Sequence, residues 1–314
     1  MRRTSVIGVC VLVCAFAGFD RLAGQTPPLV LTHLTWFDRA GKILSTVGPL
    51  ADHGNIELSP DGTRIAVAIL DRSIGTRDLW IYELDGTRAR FTSERADENW
   101  LIWSPDGQRV AHNSFAAGRL ALLQRPVRGT AAATDLLVDN TGKWPVSWSP
   151  DGQNILYVTS SDRTGNDVRV LPLTGSRAPY ALAATAAMEN WAAFSPDGRY
   201  VVYSSTEATG DAEVYAAPFP PTGRKWRISA DGGTQARWRQ QGEIVYLSPD
   251  GRLISASLRY AGDEVVVSDV TPLFKLTFPY GAYHAFDITR DGQRIIANSV
   301  VVSGGPTLSV SARP

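Results

Sequence analysis

The side chains that most often carry catalysis are few and scattered in this sequence. Its histidines lie in four distant segments, at His33, His53, His112 and His284, and their spacing suggests no zinc site. Adjacent carboxylates occur at residues 97–98 and 263–264, but neighbours on a strand point to opposite faces, so neither pair forms a shared acid–base site. The sequence contains no G-x-S-x-G, Walker A, G-x-G-x-x-G or H-E-x-x-H motif. We therefore predict no catalytic residue, no metal site and no cofactor.

A second set of side chains is better suited to binding. Amide and aromatic residues recur four or five positions before the serine position of a repeated motif, at Asn55, Asn99, Trp100, Trp144, Asn190, Trp191, Gln235 and His284, the last with Tyr283 beside it. Apolar surface with a few well-placed polar groups is typical of ligand sites. These residues are our candidate binding set. The alternative is that the tryptophans pack between structural units and the asparagines cap turns.

The motif that sets this register is Ser-Pro-Asp-Gly, at residues 59–62, 104–107, 149–152 and 195–198, with a period of 45 or 46 residues. Degenerate copies at residues 238–242 and 289–292 continue the series, which gives six units. A further literal copy at 248–251 lies off the period and predicts a different turn in the fifth unit. Pro fits the second position of a type I turn and Gly the left-handed fourth position, so each copy should join two antiparallel strands.

Each unit has the same internal pattern. An aromatic or aliphatic residue precedes the motif, a β-branched run such as residues 64–67 follows it, and further short strands such as 78–82 and 88–92 come next. A period near 45 residues with about four short strands per unit is typical of propeller blades. We predict an all-β fold, a six-bladed β-propeller with four-stranded antiparallel blades.

The two ends of the chain predict how the ring closes. Residues 35–44 resemble the hairpin of the third and fourth strands of the first unit, and the sixth unit lacks a complete copy of that hairpin. The N-terminal strands should therefore complete the last blade and remove the exposed edges. Residues 307–310 also resemble a strand, and the sequence does not decide where it would pair.

The N-terminus resembles an export signal. Arg2 and Arg3 precede an apolar stretch at residues 6–19, which is too short to span a bilayer comfortably. We predict a signal peptide at residues 1–24, cleaved after residue 17 or 24, a linker at 25–32 and the propeller at 33–314; an uncleaved anchor is the alternative. Both cysteines lie in this leader, so the mature chain should have no disulfide. We expect a periplasmic or secreted protein without stable membrane insertion.

The repeat supports a named resemblance. The Ser-Pro-Asp-Gly register, the preceding aromatic residue and the six units resemble the WD40-like (PD40) repeats of TolB-type propellers over residues 33–314. Such propellers occur in the periplasmic protein TolB, next to prolyl-oligopeptidase-type domains and behind bacterial Ser/Thr kinases. The resemblance is specific for the fold and implies little about the activity.

Function follows from the rims of the ring. We call the rim that carries the Ser-Pro-Asp-Gly turns the turn rim. The opposite loop rim should carry the longer loops at residues 71–77, 160–166 and 205–211, together with the candidate binding set. The 31 basic and 31 acidic residues cancel, so nucleic acid is not expected as a partner. We predict a non-catalytic binding or scaffold protein for a protein or peptide partner, with a small ligand as a variant. The alternatives are a rim enzyme, either a lyase or a glycan hydrolase, and a purely structural module.

Overall fold

A computed structural model describes residues 31–300, apart from 117, 130, 162–163, 240–241, 262–263 and 279–283. These residues form 24 strands in six antiparallel four-stranded sheets, and no helix among them is long and apolar enough to cross a membrane. The sheets are the blades of a six-bladed propeller, so the predicted fold class is confirmed.

The strands follow in chain order, and the first two belong to the last blade. They are β1 (Thr32–Asp38) and β2 (Ile43–Ala51). Blade 1 consists of β3 (His53–Leu58), β4 (Arg64–Asp71), β5 (Thr76–Glu83) and β6 (Arg88–Arg90). Blade 2 consists of β7 (Leu101–Trp103), β8 (Arg109–Ala116), β9 (Arg119–Pro126) and β10 (Thr134–Asp139). Blade 3 consists of β11 (Lys143–Trp148), β12 (Asn154–Ser161), β13 (Gly165–Pro172) and β14 (Tyr180–Ala183).

The remaining blades repeat this order from the axis outward. Blade 4 consists of β15 (Glu189–Phe194), β16 (Tyr200–Ser205), β17 (Glu213–Pro218) and β18 (Trp226–Arg227). Blade 5 consists of β19 (Thr234–Trp238), β20 (Glu243–Leu247), β21 (Arg252–Ala261) and β22 (Glu264–Lys275). Blade 6 begins with β23 (Phe286–Ile288) and β24 (Arg294–Val300).

The last blade closes as predicted. Its sheet has the order β2-β1-β24-β23, and β1 pairs with β24 along its whole length, from Thr32 opposite Val300 to Asp38 opposite Arg294. The N-terminal strands therefore supply the third and fourth strands of blade 6. The strand predicted at residues 307–310 lies outside the described residues.

The Ser-Pro-Asp-Gly copies on the period are the turns between the first and second strands of their blades. In blade 2, Gly107 N donates to Ser104 O at 2.8 Å, and Gly107 has a φ of +65°. The Ser104 hydroxyl donates to Asp106 at 2.5 Å and accepts the Arg109 N–H at 2.9 Å. The off-period copy at 248–251 joins β20 to β21, so it is a different turn in the same blade, as predicted.

The residue before each turn packs between neighbouring blades. Six such side chains are between 5 and 8% exposed: Leu58, Trp103, Trp148, Phe194, Trp238 and Ile288. The Trp103 indole also donates to Glu57 O of blade 1 at 3.2 Å, and Trp238 donates to Ala193 O of blade 4 at 3.1 Å. One aromatic residue thus both fills a blade interface and bonds across it.

The turn geometry predicts a specific loss of stability. A Cβ added at Gly107 would meet no atom closer than 3.7 Å, so the cost of a side chain comes from the positive φ rather than from crowding. We expect Gly107→Val to lower the free energy of unfolding by about 2 kcal/mol, because a β-branched residue tolerates this conformation poorly. Gly107→Asn is the matched variant, since Asn enters the left-handed region more readily. Urea unfolding that gave equal losses for Val and Asn would contradict the assignment.

Candidate functional site

The described members of the candidate binding set lie at the loop-rim ends of the innermost strands, and most of them are buried. Six of its members are at most 6% exposed: Asn55, Trp100, Asn190, Trp191, Gln235 and His284. Asn99 and Trp144 are half-buried, and Tyr283 lies outside the described residues. The expected open ring of amides and aromatics therefore needs correcting, because packing at the axis closes it.

Aromatic side chains form a plug at the loop-rim end of the axis. The ring of Trp100 in blade 2 lies 5.1 Å from the ring of His284 in blade 6, edge-on. Blade 1 stands between these two blades, so the contact reaches past it. Trp191 of blade 4 belongs to the same apolar cluster as Trp100. Trp100 thus contacts His284 of blade 6 and shares an apolar cluster with residues of blades 3 and 4.

The buried amides of the set tie successive blades together. Gln235 Oε1 of blade 5 accepts the Ala285 N–H of blade 6 at 2.8 Å. Asn55 of blade 1 accepts the His284 N–H at 3.1 Å and donates to Leu101 O of blade 2 at 3.3 Å. Side chains of blades 5 and 1 thus satisfy backbone groups of blades 6 and 2. Asn55 and Gln235 therefore have structural contacts between blades, which differ from the turn-capping role that the sequence offered as the alternative for the asparagines.

Two members of the set have unusual backbone conformations at equivalent positions. Trp191 and Gln235, each in the innermost strand, have φ values of +50° and +55°. The pairing register of both strands shifts at this point, between Asn190 and Ala193 in blade 4 and between Thr234 and Arg237 in blade 5. A bulge re-aims side chains. At both positions the positive φ coincides with contacts to other blades, of Trp191 in the apolar cluster and of Gln235 with Ala285 N.

Sequence reasoning missed an ion network whose charged members each lie directly before the large residue that precedes the turn. Arg237 of blade 5 donates to Glu57 of blade 1 and to His284 Nδ1, both at 2.8 Å. Its Nε lies 3.8 Å from Asp287 Oδ1 of blade 6, and Asp287 Oδ2 accepts the Leu58 N–H at 2.8 Å. A sequence signal for the network exists, because its three charged residues occupy the same register position in units one, five and six.

Burial and the charges of neighbouring members shift the pKa values of the residues in this network. Burial raises the pKa of Glu57 to about 8, against the opposing effect of Arg237. Burial disfavours the charged form of Arg237, but Glu57 and Asp287 outweigh it and hold the Arg237 pKa above its usual value. Burial and the Arg237 charge lower the pKa of His284 well below its usual value, so His284 is neutral. The three charged side chains of the network are between 8 and 16% exposed.

A further buried pair lies beside Asn99. Glu98 and His112 are at most 1% exposed, and Glu98 Oε1 lies 3.8 Å from His112 Nδ1. Burial raises the pKa of Glu98 to about 7 and lowers that of His112 to about 4. Asp97 instead accepts the Arg77 N–H and the Asn99 amide, both at 2.9 Å. The adjacent carboxylates Asp97 and Glu98 thus make separate contacts, as expected from the sequence.

The accessible part of the set lies between blades 2 and 3. Trp144 and Asn99 are half-buried there, as is Phe115 at the end of β8. The Phe115 ring lies 6.1 Å from that of Trp144, edge-on. We call Asn99, Phe115 and Trp144 the aromatic sector of the loop rim. Across the described ranges, no three His, Cys, Asp or Glu side chains are grouped so that they could hold a metal ion.

Comparisons with known proteins concern the fold. The family model of the TolB beta propeller domain, PD40, matches residues 51–217, more than half of the chain. No curated protein matches the sequence. A solved TolB candidate from Agrobacterium tumefaciens superposes with a TM-score of 0.69 at 18% identity, covering 88% of this chain and 100% of that one.

Two more distant structures have the same architecture. TolB from Acinetobacter baumannii gives a TM-score of 0.58 at 17% identity, with 76% of this chain covering 64% of that one. An oligogalacturonate lyase in complex with manganese gives 0.56 at 12% identity, over 88% of this chain and 80% of the lyase. Identities this low show a common fold and nothing about activity.

The buried Glu98 predicts a pH-dependent stability. Its pKa is about 7 in the folded protein against 4.5 for an ordinary glutamate, so the folded state binds this proton more tightly. The resulting stabilisation is complete below about pH 4.5 and is lost as the pH rises to about 7. We expect urea unfolding at a series of pH values to show a loss of about 3 kcal/mol that Glu98→Gln lacks.

His112 has the opposite pH dependence, but Glu98→Gln retains His112, so the difference between the two proteins isolates Glu98. Glu83→Gln, at an exposed position, is the control and should follow the wild-type profile. Parallel profiles for wild type and Glu98→Gln would contradict the prediction.

Proposed function

Because the chain belongs to the family of TolB β-propeller domains, we propose that it is a non-catalytic binding module that holds a protein or peptide partner against its loop rim. The aromatic sector of Asn99, Phe115 and Trp144 is the centre of the proposed contact. Partly exposed aromatic side chains on a rigid frame are typical of the residues that dominate protein interfaces.

The observation that carries this proposal is the contrast between Trp144 and the rest of the candidate set. Trp100 and Trp191 are buried in the apolar plug, whereas Trp144 packs against the edge of the same cluster and stays half-exposed. Its indole lies over Gly142, where an added Cβ would come within 2.7 Å of the ring. The ring is thus held by Gly142, Phe115 and the apolar cluster while remaining partly exposed, which favours a preorganised contact.

The buried charges favour binding over catalysis. Arg237, Glu57 and Asp287 bond to one another and to backbone groups inside the channel, and a general acid or base must instead reach a substrate. The likeness to a lyase rests on 12% identity and supports only the shared architecture.

We also propose that the protein works outside the cytoplasm. The support is the leader-like sequence at residues 1–24, which lies outside the described residues. Protein partners of an exported propeller would then be periplasmic or extracellular.

The test is partner capture with an aromatic variant and its matched control. Immobilised wild-type protein is used to recover a partner from the periplasmic fraction, and the affinity of the purified partner is then measured by titration. We expect Trp144→Ala to weaken binding by about 2 kcal/mol, roughly 30-fold, because an aromatic anchor is lost. Its unfolding curve should change less than its affinity.

Tyr260→Ala is the control, since Tyr260 is an aromatic residue of blade 5 that is 41% exposed away from the aromatic sector. Gly142→Ala adds a second arm, because it displaces the Trp144 indole without removing it, and should weaken binding in the same direction. Full affinity in Trp144→Ala together with a loss in Tyr260→Ala would show that the partner uses another face.

A further inference from the structure

The outer edge of blade 1 has unpaired backbone groups. Its last strand, β6, is exposed along all three residues and pairs only with β5 in the described part of the chain. Glu83 N donates to Thr87 O, and Phe91 N donates to Leu79 O. Hydrogen-bonded pairs alternate along an antiparallel ladder, so Ala89 bonds inward to Ile81. The N–H and C=O groups of Arg88 and Arg90 therefore point outward.

Grooves flank this edge on both sides. The groove towards blade 2 has a volume of about 490 Å³ and an apolar floor that includes Ile81, Phe91 and Val127. The groove towards blade 6 has a volume of about 370 Å³ and a floor that includes Leu50 and Trp80. Arg88 and Arg90 line both grooves. Because side chains of a strand alternate between its faces, a strand added beside β6 would place successive side chains in the two grooves.

Arginines outnumber acids in both grooves. The groove towards blade 2 is lined by one acid, Glu83, and by five arginines, Arg64, Arg88, Arg90, Arg125 and Arg128. The Arg88 and Arg90 side chains contact Trp80 and Asp78 of the other groove. That groove, towards blade 6, is lined by Arg72, Arg88 and Arg90 and by two acids, Asp71 and Asp78. Arg90 pairs with Asp78 and Arg125 with Glu94. Arg64 and Arg88 bond instead to neutral acceptors, Gly107 O at 3.2 Å and the Tyr82 hydroxyl at 2.8 Å. Positive charge therefore remains after the internal ion pairs are counted.

Two of these arginines are held in place by aromatic rings. The Arg88 guanidinium lies 4.7 Å from the Trp80 ring and 5.6 Å from the Tyr82 ring, and that of Arg64 lies 4.8 Å from Trp103. Stacking of this kind restricts the side chain while leaving guanidinium N–H groups to bond an anion. The charge is thus prepositioned rather than carried on mobile side chains.

We propose that an extended acidic segment of a partner protein binds here by pairing with β6 as a fifth strand of blade 1. Its backbone bonds to the outward groups of Arg88 and Arg90, and its carboxylates meet the arginines of the two grooves. Strand addition of this kind uses main-chain bonds for affinity and side-chain grooves for specificity. The surface is separate from the aromatic sector and does not depend on it.

A peptide suits this site better than another polyanion. An anionic glycan or a nucleic acid could neutralise the arginines, but neither presents amide donors and carbonyl acceptors at the spacing of a strand. The outward groups of Arg88 and Arg90 distinguish these classes of ligand.

The probe is a fluorescein-labelled synthetic peptide that alternates glutamate and valine, titrated into the purified protein by fluorescence anisotropy. We expect saturable binding that weakens as salt is added. Methylation of alternate backbone nitrogens on the peptide edge that faces β6 should abolish binding, because it keeps the charge and removes the donors. A peptide that alternates lysine and valine should not bind.

Protein variants separate the charge from the backbone. We expect Arg128→Glu to weaken binding about fivefold, since Arg128 is exposed and an exposed charge pair contributes modestly. Arg88→Ala and Arg88→Pro both remove the guanidinium, but only Pro also removes the outward N–H, so Pro should weaken binding further. Arg259→Glu reverses an exposed charge in blade 5 and is the matched control, as is Trp144→Ala, which should bind normally.

Equal binding of the methylated and unmethylated peptides would overturn strand addition and leave only charge attraction. Equal or tighter binding of heparin or single-stranded DNA, competed off by the peptide, would assign the groove to another class of polyanion. An unchanged affinity of Arg128→Glu for the peptide would show that the groove towards blade 2 is not part of the binding site.

Discussion

The interface between neighbouring blades is the interaction on which the rest of this structure depends. Each blade is a four-stranded sheet with two apolar faces, and neither face can be left in water without a large cost. In the closed ring every blade face packs against a neighbouring blade, and one large side chain before each turn fills the interface. Trp103 and Trp238 also bond to the backbone of the preceding blade. Closure by β1 and β2 is required by the same logic, because an incomplete sixth blade would leave blade 1 uncovered on one side.

The sequence predicted the features that are local in the chain. The left-handed glycine of each turn, the period and the closing hairpin are each encoded in a few adjacent residues, and all three are confirmed. Whether a ligand can reach the channel mouth could not be predicted from such local patterns. The contact of Trp100 with His284 joins blades 2 and 6, and the pair of Arg237 and Glu57 joins residues 180 positions apart. Only the geometry of the ring decides which side chains converge at its axis.

The closed axis shifts the expected binding surfaces outward. The buried residues Trp100, Trp191 and His284 lie at the channel mouth, and one arginine and two carboxylates bond across the channel. Together these side chains act as a rigid hub. A hub of this kind fixes the positions of rim loops and outer strands without contacting a ligand itself. Burying polar groups there is tolerated where they bond to neighbouring blades, as Asn55, Gln235 and Arg237 do, whereas Trp191 Nε1 has no hydrogen-bond partner among the described residues. The same bonds that block the axis therefore hold the peripheral surfaces in a fixed arrangement.

The pairing of β1 with β24 has a mechanical consequence. Thr32 lies opposite Val300 at one end of this antiparallel ladder, and both residues are at the loop rim. A force that pulled these two residues apart would act across the ladder and load its hydrogen bonds one after another, as in opening a zipper. Strands pulled along their length would share the load among many bonds at once. The pairing of β1 with β24 closes the ring and stabilises it against heat and denaturant. It nevertheless offers little resistance to tension applied at Thr32 and Val300.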